Sequence, residues 1–304
     1  MTEQYAKVII NPVAGANSTL RKWPHISRLL RHFGLSFDHQ LTEGVGHAME
    51  LAREAAIAGY RFLVAVGGDG TVNEVANGIL IAEAAGEAGM GTVNTGTGSD
   101  FVRSLGLSSD YTKACAALTG ERWLDIDVGV VQYGQGEQGG RRFFVNSAGV
   151  GFDAEVAKAK ERMPRYFRGT IPYLLGMGRK LLGYSNKKVY LEVDGRGETR
   201  KVLSVVVANG AYFGGGMNVA PQADLTDNLL DVLTVGDIGK LELVKAFPSI
   251  YKGTHITHPK VRMERASRVR IESAERLLVH ADGEVVGEGP ANFWLLPKAL
   301  RVAV

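Results

Sequence analysis

The amino-acid sequence predicts two domains: a doubly wound α/β domain over residues 1–122 and an antiparallel, β-rich, sandwich-like domain over residues 123–304. Two observations predict this fold class. In the first part of the chain, short apolar runs alternate with stretches of helical periodicity, which is typical of a parallel sheet with helices on its faces. After about Arg122, short segments rich in valine and leucine follow one another, with glycine, aspartate or asparagine between them, which is typical of an antiparallel sheet. The pattern leaves open whether the final strand stays in the second domain or returns to the first.

The first domain alternates between strand and helix. Strands are predicted where apolar runs stop at turn-forming residues, at residues 7–10, 35–41 and 62–66. Helices are predicted at residues 20–33, 48–58 and 72–85. In the last of these, apolar residues recur three, four and seven positions after Val72, so we expect the helix to bury one continuous face.

The second domain is predicted to consist mainly of strands. They are expected at residues 125–133, 142–147, 189–193, 202–208, 229–235, 260–271, 276–280 and 292–296. The glycine-rich polar stretch at residues 134–140 is expected to form the tip of a hairpin.

Composition narrows the class of protein. Hydrophobic residues make up 45% and charged residues 22% of the 304, which is the balance of a folded globular protein. Cys115 is the single cysteine, which excludes an internal disulfide and a cysteine-based metal cluster. The first residues lack the pattern of a secretory signal, and no run of apolar residues is long enough to span a bilayer. The sequence therefore predicts a cytoplasmic protein that associates only peripherally with membranes.

A basic segment interrupts the second domain. Between Lys158 and Lys188 the sequence carries nine basic residues and one acid, Glu161, with tyrosine, phenylalanine and leucine among them. This mixture suits a bilayer surface with anionic headgroups, although a solvated helix face would also explain the charge. Nucleic acid is disfavoured because no nucleic-acid motif accompanies the segment. The candidate membrane-docking residues are Arg165, Tyr166, Phe167, Arg168, Arg179 and Lys180.

The most informative stretch is the turn at residues 67–71, Gly-Gly-Asp-Gly-Thr, which joins the third strand to a helix. Thr71 and Glu74 have the spacing of a capping box, which predicts a helix start at Thr71. The amides of a helix start form an anion site, and glycines let the backbone approach a phosphate closely. An ordinary glycine-rich turn stays the alternative at this point.

Two common phosphate-binding motifs are excluded. Asn73 occupies the position where a dinucleotide fingerprint would need its last glycine, and no Gly-Lys-Ser/Thr follows the turn. Asp69 is a carboxylate in the middle of the predicted anion site. It is chemically sensible there if it holds Mg²⁺ or orients an attacking hydroxyl group.

These residues resemble the signature of the diacylglycerol kinase catalytic family, which includes soluble bacterial lipid kinases. The family is related to sphingosine and ceramide kinases and, distantly, to NAD kinases. Further segments similar to family motifs follow in family order at residues 94–101, 146–154, 214–221, 227–231 and 282–284. The resemblance implies a nucleotide-binding catalytic domain over residues 1–122 and a lipid-substrate domain over residues 123–304.

The resemblance also implies roles for individual residues. Glu284 corresponds to the general base, with Asp69 as the second catalytic residue. The positions that correspond to ATP contacts are Asn11, Thr42, Gly67, Gly68, Asp69, Gly70, Thr71, Val72, Asn73 and Thr97. The positions that correspond to a metal–water network beside the phosphates are Asp69, Asp100 and Asp127. The positions that correspond to a structural Mg²⁺ site are Asp224, Asp227 and Leu229.

The chain departs from the family pattern at three positions. Asn94 stands where proline is usual, Ser99 where asparagine is usual, and Asn228 where glycine is usual. Asparagine tolerates a positive φ better than most residues, so we expect the change at 228 to be mild. Ser99 lies beside an acidic position, so we expect this departure to affect the contacts with nucleotide rather than the fold.

The sequence therefore predicts an ATP- and Mg²⁺-dependent kinase that phosphorylates the hydroxyl group of a membrane lipid, with diacylglycerol and phosphatidic acid as substrate and product. Its expected partners are ATP, the lipid and an anionic membrane surface. Nucleic acid is not expected as a partner, and the sequence leaves open whether the chain forms a homodimer. The alternatives are a kinase of another lipid or sphingoid base, an enzyme like NAD kinase, and a non-catalytic lipid- or nucleotide-binding module. His255 and His258 are expected to be surface histidines because no acidic or cysteine ligand accompanies them.

Overall fold

A computed structural model describes residues 5–82, 87–120, 122–136, 139–161 and 183–304. The chain forms two compact units. Unit 1 comprises the residues up to Val128 together with Pro297–Val304, and unit 2 comprises Gly129–Leu296. Within the described residues, no helix has the length and apolar character needed to cross a membrane.

Unit 1 is built on a parallel sheet. Its strands are β1 (Tyr5–Ile10), β2 (Ser36–Leu41), β3 (Phe62–Gly67) and β4 (Gly89–Asn94), in the order β2-β1-β3-β4. The end of the last strand of the chain, Ala291–Ala303, pairs in parallel with β4. Every residue of β3 and β4 is buried, as expected for central parallel strands that are covered on both faces.

Within the part of unit 1 that the structure describes, five helices accompany this sheet. They are α1 (Ala14–His32), α2 (His47–Ile57), α3 (Asp69–Ile81), α4 (Asp100–Ser104) and α5 (Tyr111–Ala117). Helix α1 carries Ile26 and Leu30 into the core beside Leu35, whereas its first residues, from Gly15 to Asn17, have positive φ angles. The predicted strand–helix alternation of the first domain is thus confirmed.

Unit 2 consists mainly of antiparallel strands. In chain order they are β5 (Trp123–Tyr133), which starts in unit 1, β6 (Gly140–Phe144), β7 (Ser147–Gly151), β8 (Lys187–Val193), β9 (Arg196–Val202), β10 (Ser204–Ala208), β11 (Tyr212–Phe213), β12 (Met217–Asn218), β13 (Leu230–Val235), β14 (Val261–Ala266), β15 (Arg268–Glu272), β16 (Leu278–Ala281), β17 (Glu284–Glu288) and β18 (Ala291–Ala303). The helices in its described residues are α6 (Phe152–Glu161) and α7 (Lys240–Ala246), and two 3₁₀ helices, Phe247–Lys252 and Thr254–Thr257, follow α7.

The strands of unit 2 form two principal layers around one core. Six strands pair in the order β14-β13-β10-β7-β16-β17, and β18, β15, β8 and β9 pair in that order in the other layer. Val207 and Val232 from the first layer share a cluster with Leu191 and Phe293 from the second. The β-rich, sandwich-like class predicted for this part of the chain is therefore confirmed.

Two predicted strands are each divided in the structure. The segment predicted at 260–271 breaks at Ser267, whose backbone N–H donates to the carboxylate of Asp194, so β14 and β15 pair with different neighbours. The segment predicted at 142–147 breaks where the carboxylate of Asp282 accepts the backbone N–H groups of residues 145–147. In both cases an aspartate side chain from a distant part of the sequence replaces the ladder partner.

Candidate functional site

The turn between β3 and α3 has no room for a side chain at its first glycine. A Cβ atom on Gly67 would lie 2.3 Å from the Oγ1 atom of Thr71. The N–H groups of Thr95 and Gly96 donate to the carbonyl oxygen of Gly67 at 2.8 and 3.2 Å, and a Cβ atom on Gly96 would lie 2.6 Å from Cα of Gly68. Gly67 is therefore required by the Thr71 side chain of its own turn, and Gly96 by the close approach of its loop to the backbone of Gly68.

Helix α3 begins earlier than the capping-box pattern predicted. The helix runs from Asp69, with Gly68 at the N-cap position and no side-chain cap, so Thr71 lies within its first turn. Because Gly68, Asp69 and Gly70 are half-buried rather than covered, the first amides of the helix lie at the surface of unit 1. This arrangement has the polarity of an anion site.

Asn11 joins the end of β1 to the same turn. Its Nδ2 atom donates to Thr71 Oγ1 at 3.1 Å, and its backbone N–H donates to the carbonyl oxygen of Val66 at 2.9 Å. Helix α1, which follows, packs on the β4 loop, because Thr19 Oγ1 and Thr95 Oγ1 lie 2.6 Å apart. The predicted ATP positions after β1, β3 and β4 thus converge at the carboxyl ends of the parallel strands, where α/β sheets bind ligands. Thr97 is exposed on the β4 loop.

Thr42 and the loop after β2 are held by Glu74. Oε1 and Oε2 of Glu74 accept the backbone N–H groups of Gly46 and Ala48 at 2.9 and 3.0 Å. Thr42 is buried and donates its own N–H to the carbonyl oxygen of Ile10. Glu74 therefore caps the start of α2 rather than its own helix, which corrects the capping-box interpretation. Its position in the motif gave no indication of this long-range contact.

Two of the three predicted acidic positions face one point. Asp69 Oδ2 lies 2.4 Å and Asp100 Oδ2 3.7 Å from the place a Cβ atom of Gly98 would occupy, so this glycine leaves room for both carboxylates. Asp69 Oδ1 also accepts the N–H of Phe101 at 3.1 Å. Paired carboxylates are suitable ligands for a divalent cation. A set of three or more His, Cys, Asp or Glu side chains arranged around a metal is absent from the part of the chain that the structure describes.

Asp127, the third acid, has a different set of contacts. It is fully buried, and its Oδ1 atom accepts the backbone N–H of Lys298 at 2.8 Å. Asp127 therefore also has a structural task, because it anchors the returning end of β18 in unit 1.

The two unusual residues of the β4 loop contact each other. Asn94 donates from Nδ2 to the Oγ atom of Ser99, and its Oδ1 atom accepts the N–H of Gly96 at 3.2 Å. Ser99 has a positive φ of 59°. The departures from the family pattern at 94 and 99 are thus coupled, since one side chain binds the other and supports the loop that carries Thr97.

In unit 2, Glu284 follows a two-residue turn between β16 and β17. Asp282 and Gly283 have φ angles of 46° and 83°, the signature of a type I′ turn. The Asp282 carboxylate accepts three backbone N–H groups at 2.8 to 2.9 Å, from residues 145–147. The aspartate of this motif is therefore structural, and Glu284 is the acid whose side chain is partly exposed.

Glu284 has a partner that the sequence did not indicate. Arg142 on β6 places Nη2 3.2 Å from Glu284 Oε2, and the arginine side chain is largely buried. A buried guanidinium beside a carboxylate forms a charge-assisted hydrogen bond that fixes the orientation of the carboxylate. The contact joins β6 and β17, which belong to different sheets, and the two residues are far apart in sequence, so no local pattern indicates it.

A second polar group lies on the strand before the turn. His280 is fully buried, its Nε2 atom lies 2.6 Å from Asp153 Oδ2, and Asp153 also accepts a hydrogen bond from Ser204. The Phe213 ring stacks on the imidazole with centroids 5.1 Å apart. Asp153 belongs to the predicted motif at 146–154, and the structure assigns it to the support of β16.

The predicted structural metal site lies in a turn stabilised by its own aspartates. Asp224 Oδ1 accepts the N–H of Thr226 at 2.9 Å, and Asp227 accepts the N–H of Leu229 at 3.0 Å and forms an ion pair with Arg265. Asn228 adopts φ 63°, in keeping with its place in a glycine position. The oxygen atoms suit Mg²⁺ in kind, but Arg265 already balances the charge of Asp227.

His255 is not the surface residue that the sequence predicted. It is buried, and its Nε2 atom lies 3.0 Å from the carbonyl oxygen of Val219. Burial lowers the pKa of His255 from its ordinary value, so the imidazole is neutral near pH 7. His258 instead contacts Glu242 at 3.5 Å. The predicted docking residues Arg165, Tyr166, Phe167, Arg168, Arg179 and Lys180 lie outside the described residues.

Comparison with family models matches both parts of the chain. Residues 5–131 match the diacylglycerol kinase catalytic domain, and residues 146–304 match the YegS C-terminal NAD kinase beta sandwich-like domain. The two matches together include the β3–α3 turn, Glu284 and Arg265, whereas Arg142 lies between them.

Curated relatives are similar over nearly the whole chain. A diacylglycerol kinase from Staphylococcus carnosus (strain TM300) is 30% identical, over 98% of this chain and 94% of the relative. One from Bacillus subtilis (strain 168) is 28% identical, over 98% and 96%. A crystal structure from Bacillus anthracis str. Sterne, described as a diacylglycerol kinase, has a TM-score of 0.74 at 22% identity and covers 100% of this chain and 97% of its own, which supports the fold.

Proposed function

The chain belongs to the diacylglycerol kinase family and is thus a phosphotransferase with an alcohol acceptor, and we propose that it transfers the γ-phosphoryl group of ATP to the hydroxyl group of a diacylglycerol. The products would be ADP and phosphatidic acid. The observation that carries this proposal is the convergence of three loops in unit 1 around the start of α3, where two carboxylates face one point beside the amides of a helix N-terminus.

Unit 1 would bind the nucleotide. The amides from Gly68 to Thr71 would receive the phosphate oxygens, because they lie at the start of a 13-residue helix and the amide of Val72 is the first to donate within it. Asn11 orients Thr71 from the neighbouring strand, and Thr97 is exposed on the loop opposite. Thr42 would line the same pocket on the loop that Glu74 holds.

The charge of the phosphates calls for a divalent cation. Asp69 and Asp100 would hold it, with Asp127 as a further acid of the same group. Bound Mg²⁺ would neutralise the negative charge that develops on the transferring group. We also propose Asp224, Asp227 and the carbonyl group of Leu229 as ligands of a structural Mg²⁺, supported by their oxygen atoms.

Glu284 would act as the general base. Its carboxylate would take the proton of the lipid hydroxyl while the oxygen of that hydroxyl forms a bond to the γ-phosphorus and the bond from phosphorus to the ADP oxygen breaks. Arg142 would keep the carboxylate oriented before the lipid arrives. Asp69 would contribute electrostatically, through the cation, rather than by proton transfer.

The test is a comparison of acceptors with one preparation of the full chain. Radiolabelled ATP and Mg²⁺ are supplied with dispersed diacylglycerol, a sphingoid base, NAD or a total lipid extract, and labelled products are identified by mass spectrometry. We expect label in phosphatidic acid. Label in NADP or in a sphingoid phosphate would replace diacylglycerol as the substrate, and the absence of transfer to any acceptor would favour a non-catalytic binding module.

A further inference from the structure

Helix α7 and the 3₁₀ helix after it present apolar side chains on two opposite faces. On the inner face, Leu243, Phe247 and Ile250 pack against the core clusters of unit 2. On the outer face, Leu241, Val244 and Tyr251 are 81%, 61% and 41% exposed. A helix that is held only by its core contacts would normally carry polar residues on its outer side.

The outer residues form a single stripe. Leu241, Val244, Pro248 and Tyr251 follow one another at intervals of three, four and three residues, which brings them to one side of a continuous helical segment. We call these four residues, together with Lys245 and Lys252, the α7 stripe. Both lysines are exposed and form no salt bridge with any residue in the described ranges.

The nearest acid does not cancel the positive charge. Glu242 lies on α7, but its carboxylate already binds Lys260 Nζ at 2.7 Å and lies 3.5 Å from His258. These contacts lower the pKa of Glu242, the Lys260 hydrogen bond most of all, so the carboxylate stays paired at neutral pH. The α7 stripe therefore combines exposed apolar side chains with uncompensated cations.

We propose that the α7 stripe docks on a bilayer surface that contains anionic lipids. Leucine and valine side chains would enter the boundary between headgroups and acyl chains, the tyrosine ring would lie at the level of the headgroups, and the lysines would contact lipid phosphates. This inference rests on the proposed function, because a kinase of diacylglycerol must reach a substrate that stays in the membrane.

Charge complementarity favours a lipid surface over a second copy of the chain. In a symmetric dimer the stripe would face itself, so Lys245 and Lys252 would meet like charges. A stable protein interface also buries about 800 Å² on each partner, more than four side chains in one row supply. An anionic bilayer meets both the apolar and the cationic part of the stripe.

The stripe shares its support with the strand that leads to Glu284. Phe247 and Ile250 belong to the same cluster as Phe213. The Phe213 ring stacks on His280 and lies 3.8 Å from the position of a Cβ atom on Gly283. One cluster thus connects the back of the α7 stripe to the turn before the candidate base.

The experiment measures binding of the full chain to vesicles of phosphatidylcholine with and without phosphatidylglycerol, by co-sedimentation. The apolar variant is Leu241→Ser with Val244→Ser, and the charge variant is Lys245→Glu with Lys252→Glu. The matched controls are Ile57→Ser and Lys113→Glu, which change exposed residues of unit 1. We expect each stripe variant to bind anionic vesicles at least about tenfold more weakly, and each control to bind as the wild type does.

Activity separates this inference from the proposed function. With diacylglycerol in anionic vesicles the stripe variants should lose most of their activity, and with diacylglycerol in detergent micelles they should keep it. If wild-type protein phosphorylates no lipid in either form, the proposed function fails, while the binding comparison still decides the docking. Three results would each overturn the inference: stripe variants that bind vesicles as well as the wild type does, a wild-type protein that does not bind vesicles, or a wild-type dimer that the stripe variants dissociate.

Discussion

Two hairpins of unit 2 have the same turn and differ in the residue that comes directly after the turn. Asp194-Gly195 joins β8 to β9 with φ angles of 46° and 78°, and Asp282-Gly283 joins β16 to β17 with 46° and 83°. In each, the aspartate carboxylate accepts backbone N–H groups of a neighbouring segment, at Ser267 and Arg268 in one case and at residues 145–147 in the other. The next residue is Arg196 in the first hairpin and Glu284 in the second.

The comparison of the two hairpins separates scaffold from chemistry, that is, the residues that stabilise the turn from the residue that we propose for catalysis. An Asp-Gly turn with an aspartate that gathers backbone amides is a structural device that this chain uses twice. The second hairpin is distinguished by Glu284 and by the guanidinium of Arg142 beside it. The function of such an Asp-Gly turn therefore depends on the residue that follows the turn and on the side chain that this residue contacts.

The largest expected effect comes from Glu284→Gln. Removal of a general base typically costs about 10² to 10⁴ in rate, so kcat should fall by that order while the thermal unfolding midpoint stays unchanged. The measurement is turnover with dispersed diacylglycerol, together with a melting curve. Arg196→Gln, at the same place in the other hairpin, is the control and should retain full activity.

Asp282→Asn should affect both folding and activity. The amide would point an N–H₂ group at backbone N–H donors, and breaking such a set of bonds should cost about 1 to 3 kcal/mol of unfolding free energy. Denaturant titration measures this cost. Asp194→Asn, whose carboxylate is exposed, should cost less and leave kcat unchanged, and equal losses of activity in both variants would contradict the separation of scaffold from chemistry.

Arg142→Ala should lower kcat through the orientation of Glu284. Without the guanidinium, the Glu284 carboxylate loses a charge-assisted hydrogen bond of 3.2 Å and is no longer held in one position. We expect a loss of about tenfold in kcat, because a hydrogen bond to a charged group is worth about 1.5 kcal/mol. Turnover with dispersed diacylglycerol and a melting curve measure the effect. Arg142→Lys should restore part of the activity, and a loss of kcat that only follows a fall in the thermal unfolding midpoint would show that Arg142 is merely structural.

The smallest effects are expected from the glycines of the two turns. An added Cβ atom on Gly195 meets nothing within 4 Å, and on Gly283 it meets only Phe213 at 3.8 Å, so strain at positive φ is the main cost. Gly195→Ala and Gly283→Ala should each lower the unfolding free energy by about 1 kcal/mol. Denaturant midpoints should agree between the two, and a much larger loss at Gly283 would show that its turn is packed more tightly than the other.

The sequence predicted the elements whose cause is local. Apolar runs such as Phe62–Gly67 and the helix after it were found because burial and glycine turns leave a clear pattern. Strand β4 was not predicted, because two glycines interrupt its apolar residues and its place in the sheet depends on pairing with β3 and β18. The single strand predicted at 260–271 is two, because Asp194 from another hairpin ends the first of them.

The same division holds for the site. Gly67 and Asp69 were predicted from their motif, whereas the task of Glu74 in holding the loop after β2 depends on a contact across 28 positions. Arg142 was not predicted because it acts through a partner that is distant in sequence. His255 was wrongly placed at the surface, because its sequence neighbours do not indicate that its Nε2 atom lies beside the carbonyl oxygen of Val219.

Strand β18 belongs to unit 2 at its start and to unit 1 at its end. Leu300 and Val302 are fully buried there, and the N–H of Lys298 meets the carboxylate of Asp127. A ribosome makes these residues only after it has made the whole of unit 2. During synthesis, the sheet of unit 1 therefore lacks its last strand until unit 2 has been translated.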